Sequence, residues 1–145
     1  MRHPVMLAAA VLGAAATPAF AQAPAGSVVF QVDHVRDDAG HVRVDICTEA
    51  TFLKEACPYS GAAAAVKGVT TVTVTGVPPG LYAAQVYHDR NDDHTVNRGR
   101  FGIPLEEVGF SNNAPIGLHG PKWIKAAFSH DATDQQLAVK LHRYE

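Results

Sequence analysis

The chain has 145 residues, with 12 Lys and Arg, 14 Asp and Glu, and two cysteines. That length suits a single domain. A net charge of −2 excludes the basic footprint of a nucleic-acid binder and the polybasic patch of a membrane-surface protein.

Residues 1–21 read as a secretory signal peptide. Arg2 supplies the positive start, residues 5–16 form an apolar run, and Ala19 and Ala21 are the small residues a signal peptidase recognises. The run is about 12 residues long, whereas a bilayer-spanning helix needs about 20. No cysteine stands at the cleavage point, so a lipoprotein has no support, and no later segment is apolar enough to span a membrane. The expected location is therefore periplasmic or secreted. Residues 22–27 are expected to be a disordered lead-in, and residues 28–145 a single domain.

Residues 28–35 are rich in β-formers, Asp37-Asp38-Ala39-Gly40 carries turn chemistry, and Val42, Val44 and Ile46 alternate with Arg43 and Asp45. Two such runs around an Asp/Gly turn predict a hairpin. Residues 51–56 suit a helical turn ended by Pro58, and residues 62–66 suit either helix or edge strand. Cys47 and Cys57 are an even pair in an exported chain, which favours a structural disulfide. A redox-active pair usually has only two residues between its cysteines. Residues 69–75 alternate Val and Thr and predict a half-buried strand. After the turn Val77-Pro78-Pro79-Gly80, residues 81–88 form another strand, with Tyr82, Ala84 and Val86 on one face and His88 in the same phase. Residues 89–122 are rich in Gly and Pro without a sustained period and read as a long loop with at most a short strand. Long loops in compact domains tend to be functional. Residues 123–128 and 137–141 read as closing strands. Short strands with little helix predict an all-β, antiparallel β-sandwich.

The run from Asp89 to Asn97 places Asp89, Asn91, Asp93 and Asn97 at positions 1, 3, 5 and 9 of a loop leaving a strand. Alternating oxygens suit Ca²⁺, with the Thr95 carbonyl at position 7 and a further carboxylate from Glu106 or Glu107. His94 stands where Gly usually makes the sharp turn, and Arg100 where a bidentate Glu closes the set. An Asx-rich turn, in which these side chains bond their own backbone, explains the same residues. Both readings stay open. His88, His94, His119 and His130 offer imidazoles for Zn²⁺ or Cu²⁺, without a diagnostic spacing. Gly109-Phe110-Ser111-Asn112-Asn113 is similar to a nucleophile elbow but ends in Asn rather than Gly; a hydrolase built on Ser111 and His88, with Asp89, is a further alternative. Glu106 and Glu107 are adjacent and point to opposite faces of an extended chain, which makes them a poor acid–base pair. Phe101, Phe110 and Trp123 read as packing residues.

Pro79-Gly80-Leu81-Tyr82-Ala83, Tyr87-His88-Asp89-Arg90-Asn91, Phe101-Gly102-Ile103-Pro104, Gly109-Phe110-Ser111-Asn112-Asn113, Gly120-Pro121 and Ala126-Ala127-Phe128 follow one another at characteristic spacing. In this run, residues 78–128, the chain resembles a family of exported bacterial proteins catalogued as domain of unknown function 2141. The resemblance implies a transthyretin-like or immunoglobulin-like β-sandwich, export and no established activity. It marks the block from His88 to Asn113 as the distinctive surface, making His88, Asn112 and Asn113 candidate ligand-binding residues. The family commonly has Asn-Gly where Asp93-His94 stands and Asp where Asn97 stands, a change that weakens cation binding here. The expected function is a non-enzymatic exported binding module for a small molecule or protein, its long loop organised by internal hydrogen bonds or by Ca²⁺.

Overall fold

The structure, a computed structural model, describes residues 18–19, 21–54 and 56–144. The signal-peptide reading falls mainly on residues outside that set. The chain is 50% strand and 8% helix, which makes the fold mostly β. Strands β1 (Gly26–Val35), β2 (His41–Cys47), β3 (Tyr59–Ala64), β4 (Gly68–Val77) and β5 (Gly80–Asp89) come first. After them run β6 (Val108–Phe110), β7 (Ile116–Gly117), β8 (Gly120–Pro121), the helical turn α1 (Trp123–Ala126), β9 (Phe128–His130) and β10 (Gln135–Lys140). One sheet has the order β10-β1-β4 and the other β3-β2-β5-β6, with β9 also paired to β5.

Alternation builds the core. Val28, Phe30 and Val32 of β1 and Val72 and Val74 of β4 join Val42, Val44 and Ile46 of β2 and Tyr82, Ala84 and Val86 of β5 in one hydrophobic cluster. Each sheet therefore turns one set of alternate residues inward. In β4 the phase begins with Thr70, which is buried while Val69 is exposed. The Thr70 hydroxyl donates to the Val66 carbonyl and accepts from the Val66 N–H, both at 2.9 Å, so its burial leaves no polar group unsatisfied.

Four expectations are corrected. β1 and β2 do not form a hairpin, because β1 pairs with β4 and β10 while β2 pairs with β3 and β5. His34 adopts a positive φ beside a register shift at the end of β1, and this break turns the chain toward the other sheet. The pairing is not wholly antiparallel, since β1 and β10 run parallel. Residues 123–128 are not one strand: α1 occupies most of them before β9 begins. The 89–122 segment is broken by β6, which extends the second sheet, and by the small β7–β8 ladder. Gly109 makes that possible, because a Cβ there would stand 2.5 Å from the Lys140 carbonyl oxygen. The uncertain 62–66 stretch falls largely within edge strand β3, and a hydrogen-bonded turn covers 48–54. The lead-in is exposed from residue 21 to 25 and without ladder partners, with β1 starting at Gly26.

Candidate functional site

β5 is covered on both faces. Its inward residues end at His88, while Ala83 and Tyr87 belong to a second cluster with Val108, Phe110, Ala114 and Ala126. At the strand's end Asp89 is fully buried. One of its oxygens accepts the Arg43 Nε–H at 2.5 Å and the His94 N–H at 3.0 Å, and the other accepts the Asp93 N–H at 3.2 Å. Gly40 lets the facing turn come close, since a Cβ there would stand 2.0 Å from the Asp89 carbonyl oxygen.

Asp93 organises the next turn. Its Oδ1 accepts from the backbone and hydroxyl of Thr95, and its Oδ2 from the amides of Asn91 at 2.8 Å and Asn97 at 2.7 Å. These donors, the Asn97 amide foremost, pull its carboxyl down to about 2. Glu106 accepts the Arg90 and Asn97 N–H groups, and burial holds its carboxyl above the usual range. The structure thus gathers Asp89, Asn91, Asp93, Asn97 and Glu106 into one loop network. The three carboxylates in it face protein N–H donors. Among the described residues no group of three or more His, Cys, Asp and Glu side chains is placed to hold a metal ion. Asp92 points away from the network, to His41 at 2.7 Å and Arg43 at 3.5 Å.

The histidines do not converge. His88 is fully buried, its Nε2 on the Ala39 carbonyl at 2.8 Å and its Nδ1 facing Glu107 Oε2 at 3.7 Å. Those two facing atoms are buried without a hydrogen-bond partner. His130 is bonded to Gln135 and to the Val77 carbonyl. It pairs with Gly80, eight residues before His88 on β5 and so about 27 Å away. His94 and His119 are exposed and both line the groove described below, away from His88 and His130. Ser111 is buried with its hydroxyl between Ala84 N–H and the Ala126 carbonyl. Ala84 precedes His88 by four residues, about 13 Å along the strand, so Ser111 and His88 are not brought together. The Asn112 amide donates to the Lys125 and Ala127 carbonyls, and Asn113 accepts the Lys140 N–H. Both asparagines have positive φ, a conformation that Asn tolerates better than most residues. Of the three candidate ligand residues, His88 points into the core side and the two asparagines secure backbone.

An open groove of about 810 Å³ lies on the other face of the second sheet, beneath the long segment. Asp45, Gln85, Tyr87, Val108 and Phe110 line its sheet side. Adjacent positions there are set by register: Asp45 opposes Gln85, Gln85 opposes Phe110, and Tyr87 opposes Val108. Phe101 and Leu118 stand at its lip, 97% and 102% exposed, so Phe101 is not the packing residue its type suggests. Phe110 and Trp123 do join the second cluster. Burial pushes the Tyr87 phenol up to about 12, with the Asp45 charge adding to it, and burial raises the Asp45 carboxyl despite the Gln85 amide. The alternation that points Tyr82 inward puts Gln85 and Tyr87 on this face, the one part of the lining that sequence periodicity marks.

Two sheets with a shared core and a groove on the outer surface of one of them define a mostly β protein. The chain belongs to the family described as "Uncharacterized protein conserved in bacteria (DUF2141)", whose model matches residues 30–138. The match runs from β1 into β10, well beyond the 78–128 run that carries the resemblance. No curated protein and no solved structure matches the chain.

Proposed function

We propose that the protein is an exported, non-enzymatic β-sandwich, of transthyretin-like or immunoglobulin-like architecture, that binds an apolar ligand in the groove over Tyr87, Val108 and Phe110. The observation that carries this reading is the open groove, floored by Tyr87, Val108 and Phe110, with Phe101 and Leu118 fully exposed at its lip. Its size lies within the range of ligand pockets, about 300–1,000 Å³. Export is supported by the Ala19-Phe20-Ala21 ending and by the Cys47–Cys57 disulfide. Nile red fluorescence tests the groove directly. The mature protein should enhance it saturably, and Leu118→Asp should weaken binding about tenfold by placing a charge against the ligand. No saturable enhancement, or equal binding by the variant, would overturn the reading.

The loop beside the groove is held, on this reading, by its own hydrogen bonds. The support is that Asp89, Asp93 and Glu106 accept N–H donors of the loop itself. Millimolar Ca²⁺ should then leave the melting temperature of chelator-treated protein unchanged. A cation site with a dissociation constant near 10⁻⁴ M would instead raise it by about 4–7 °C, and that rise would favour Ca²⁺ as the organiser.

A further inference from the structure

We infer that the ligand of this groove is an amphipathic anion: an apolar chain lying across Tyr87, Val108 and Phe110, with a single carboxylate or phosphate head at Arg98 and Arg100. The inference rests on the groove reading above and goes on to the ligand's charge. Its basis is an asymmetry in the segment that covers the groove. Between residues 98 and 125 the exposed charged side chains are Arg98, Arg100, Lys122 and Lys125. The two acids of that stretch, Glu106 and Glu107, are 7% and 5% exposed and turned inward. The surface there is therefore cationic although the whole chain is acidic. Arg98 lines the groove, and Arg100 lines a smaller hollow of about 290 Å³ that shares Phe101, Ile103 and Tyr144 with it. Arg98 donates to the Gly102 carbonyl at 2.9 Å, which uses a donor without neutralising the charge. Among the described residues neither Arg98 nor Arg100 forms an ion pair, whereas Arg36, Arg43 and Arg90 do. A planar guanidinium beside an apolar channel suits a carboxylate or phosphate head on an apolar tail. Asp45 is the one acid lining the groove; Lys54 also lines it, its ammonium donating to the Ala50 carbonyl at 2.6 Å, so the cations free of ion pairs at the long segment's rim are the arginines.

Displacement of groove-bound Nile red by probes of one chain length, below their micelle-forming concentrations, separates head from tail. Dodecanoate or dodecyl phosphate should displace the dye at about tenfold lower concentration than dodecanol or dodecylammonium. That advantage should shrink at high salt. In an Arg98→Gln, Arg100→Gln double variant the anions should fall to the level of dodecanol, each displacement being referred to that variant's own Nile red affinity. Whichever anion leads identifies the source, a free fatty acid or a lipid phosphate. Dye binding with no preference for the anions, or with dodecylammonium leading, overturns the inference and leaves the groove standing. Absence of dye binding overturns the groove reading itself.

Discussion

Asp45 and Asp93 show one residue type shifted in opposite directions by its surroundings. Burial raises the Asp45 carboxyl, so the folded chain holds that proton more tightly than the unfolded chain does. The sign is then fixed: Asp45 contributes stability as pH falls and loses it as pH rises through the raised value. Asp45→Asn should therefore melt higher than the parent at pH 7, and the difference should vanish below the ordinary carboxylate range, as followed by thermal melts against pH. Asp93 behaves in the reverse sense. Its carboxyl, lowered from 3.8 to about 2, favours the fold above the ordinary value, and the contribution is lost as pH falls through that window. Asp93→Asn keeps one acceptor oxygen of two, so it should lower the melting temperature at pH 7 and converge on the parent near pH 2. Parallel curves for the two proteins across the acid range would show that the Asp93 network does not form.

Among the elements, those with a clean two-residue period were legible in the sequence. β4 and β5 lie where their Val, Thr and Tyr spacing puts them, and the inward phase of His88 follows from Val86. Partners were less legible than strands. Periodicity says which face is buried but not what pairs with it, so the hairpin read from two alternating runs around an Asp/Gly turn gives way to the bend at His34, and the antiparallel sandwich read from short strands with little helix gains a parallel β1–β10 pair. β6 was missed because three residues, all buried, carry no alternation. The gathering of Asp89, Asn91, Asp93, Asn97 and Glu106 was legible from side-chain chemistry, whereas the groove was not, because its lining comes from distant segments that only the fold brings together. The disulfide joins the end of β2 to the approach to β3 and closes a separation of 10 residues. Loop closure of that length is worth about 2–3 kcal/mol in the chain-entropy picture. Cys47→Ala should lower unfolding free energy by about that amount in denaturant titration with the β spectrum retained, and denatured, unreduced parent protein should yield no free thiol. Two titratable thiols per chain would contradict the bond.

At the scale of the molecule, the proposed export makes a simple demand: protein recovered from the periplasm of a bacterial host should have a mass that begins at Gln22. A mass that begins at Met1 would remove the exported reading. The parallel pairing of β1 with β10 bears on how such a chain reaches its folded form. β1 is the central strand of its sheet, and one of its two neighbours is the last strand of the chain. Val28 registers with Gln135 and Asp33 with Lys140, contacts that span about three quarters of the sequence. Pairing at that distance must overcome the entropy of closing the longest loop before it is rewarded, which makes folding slow. While the chain is being synthesised, the first strand out has no partner on that side until the final residues emerge. The sheet is thus incomplete for as long as any of the C-terminal strand is still to be made. On the exported reading proposed above, the first sheet would be completed only after the last strand, β10, has itself crossed the membrane.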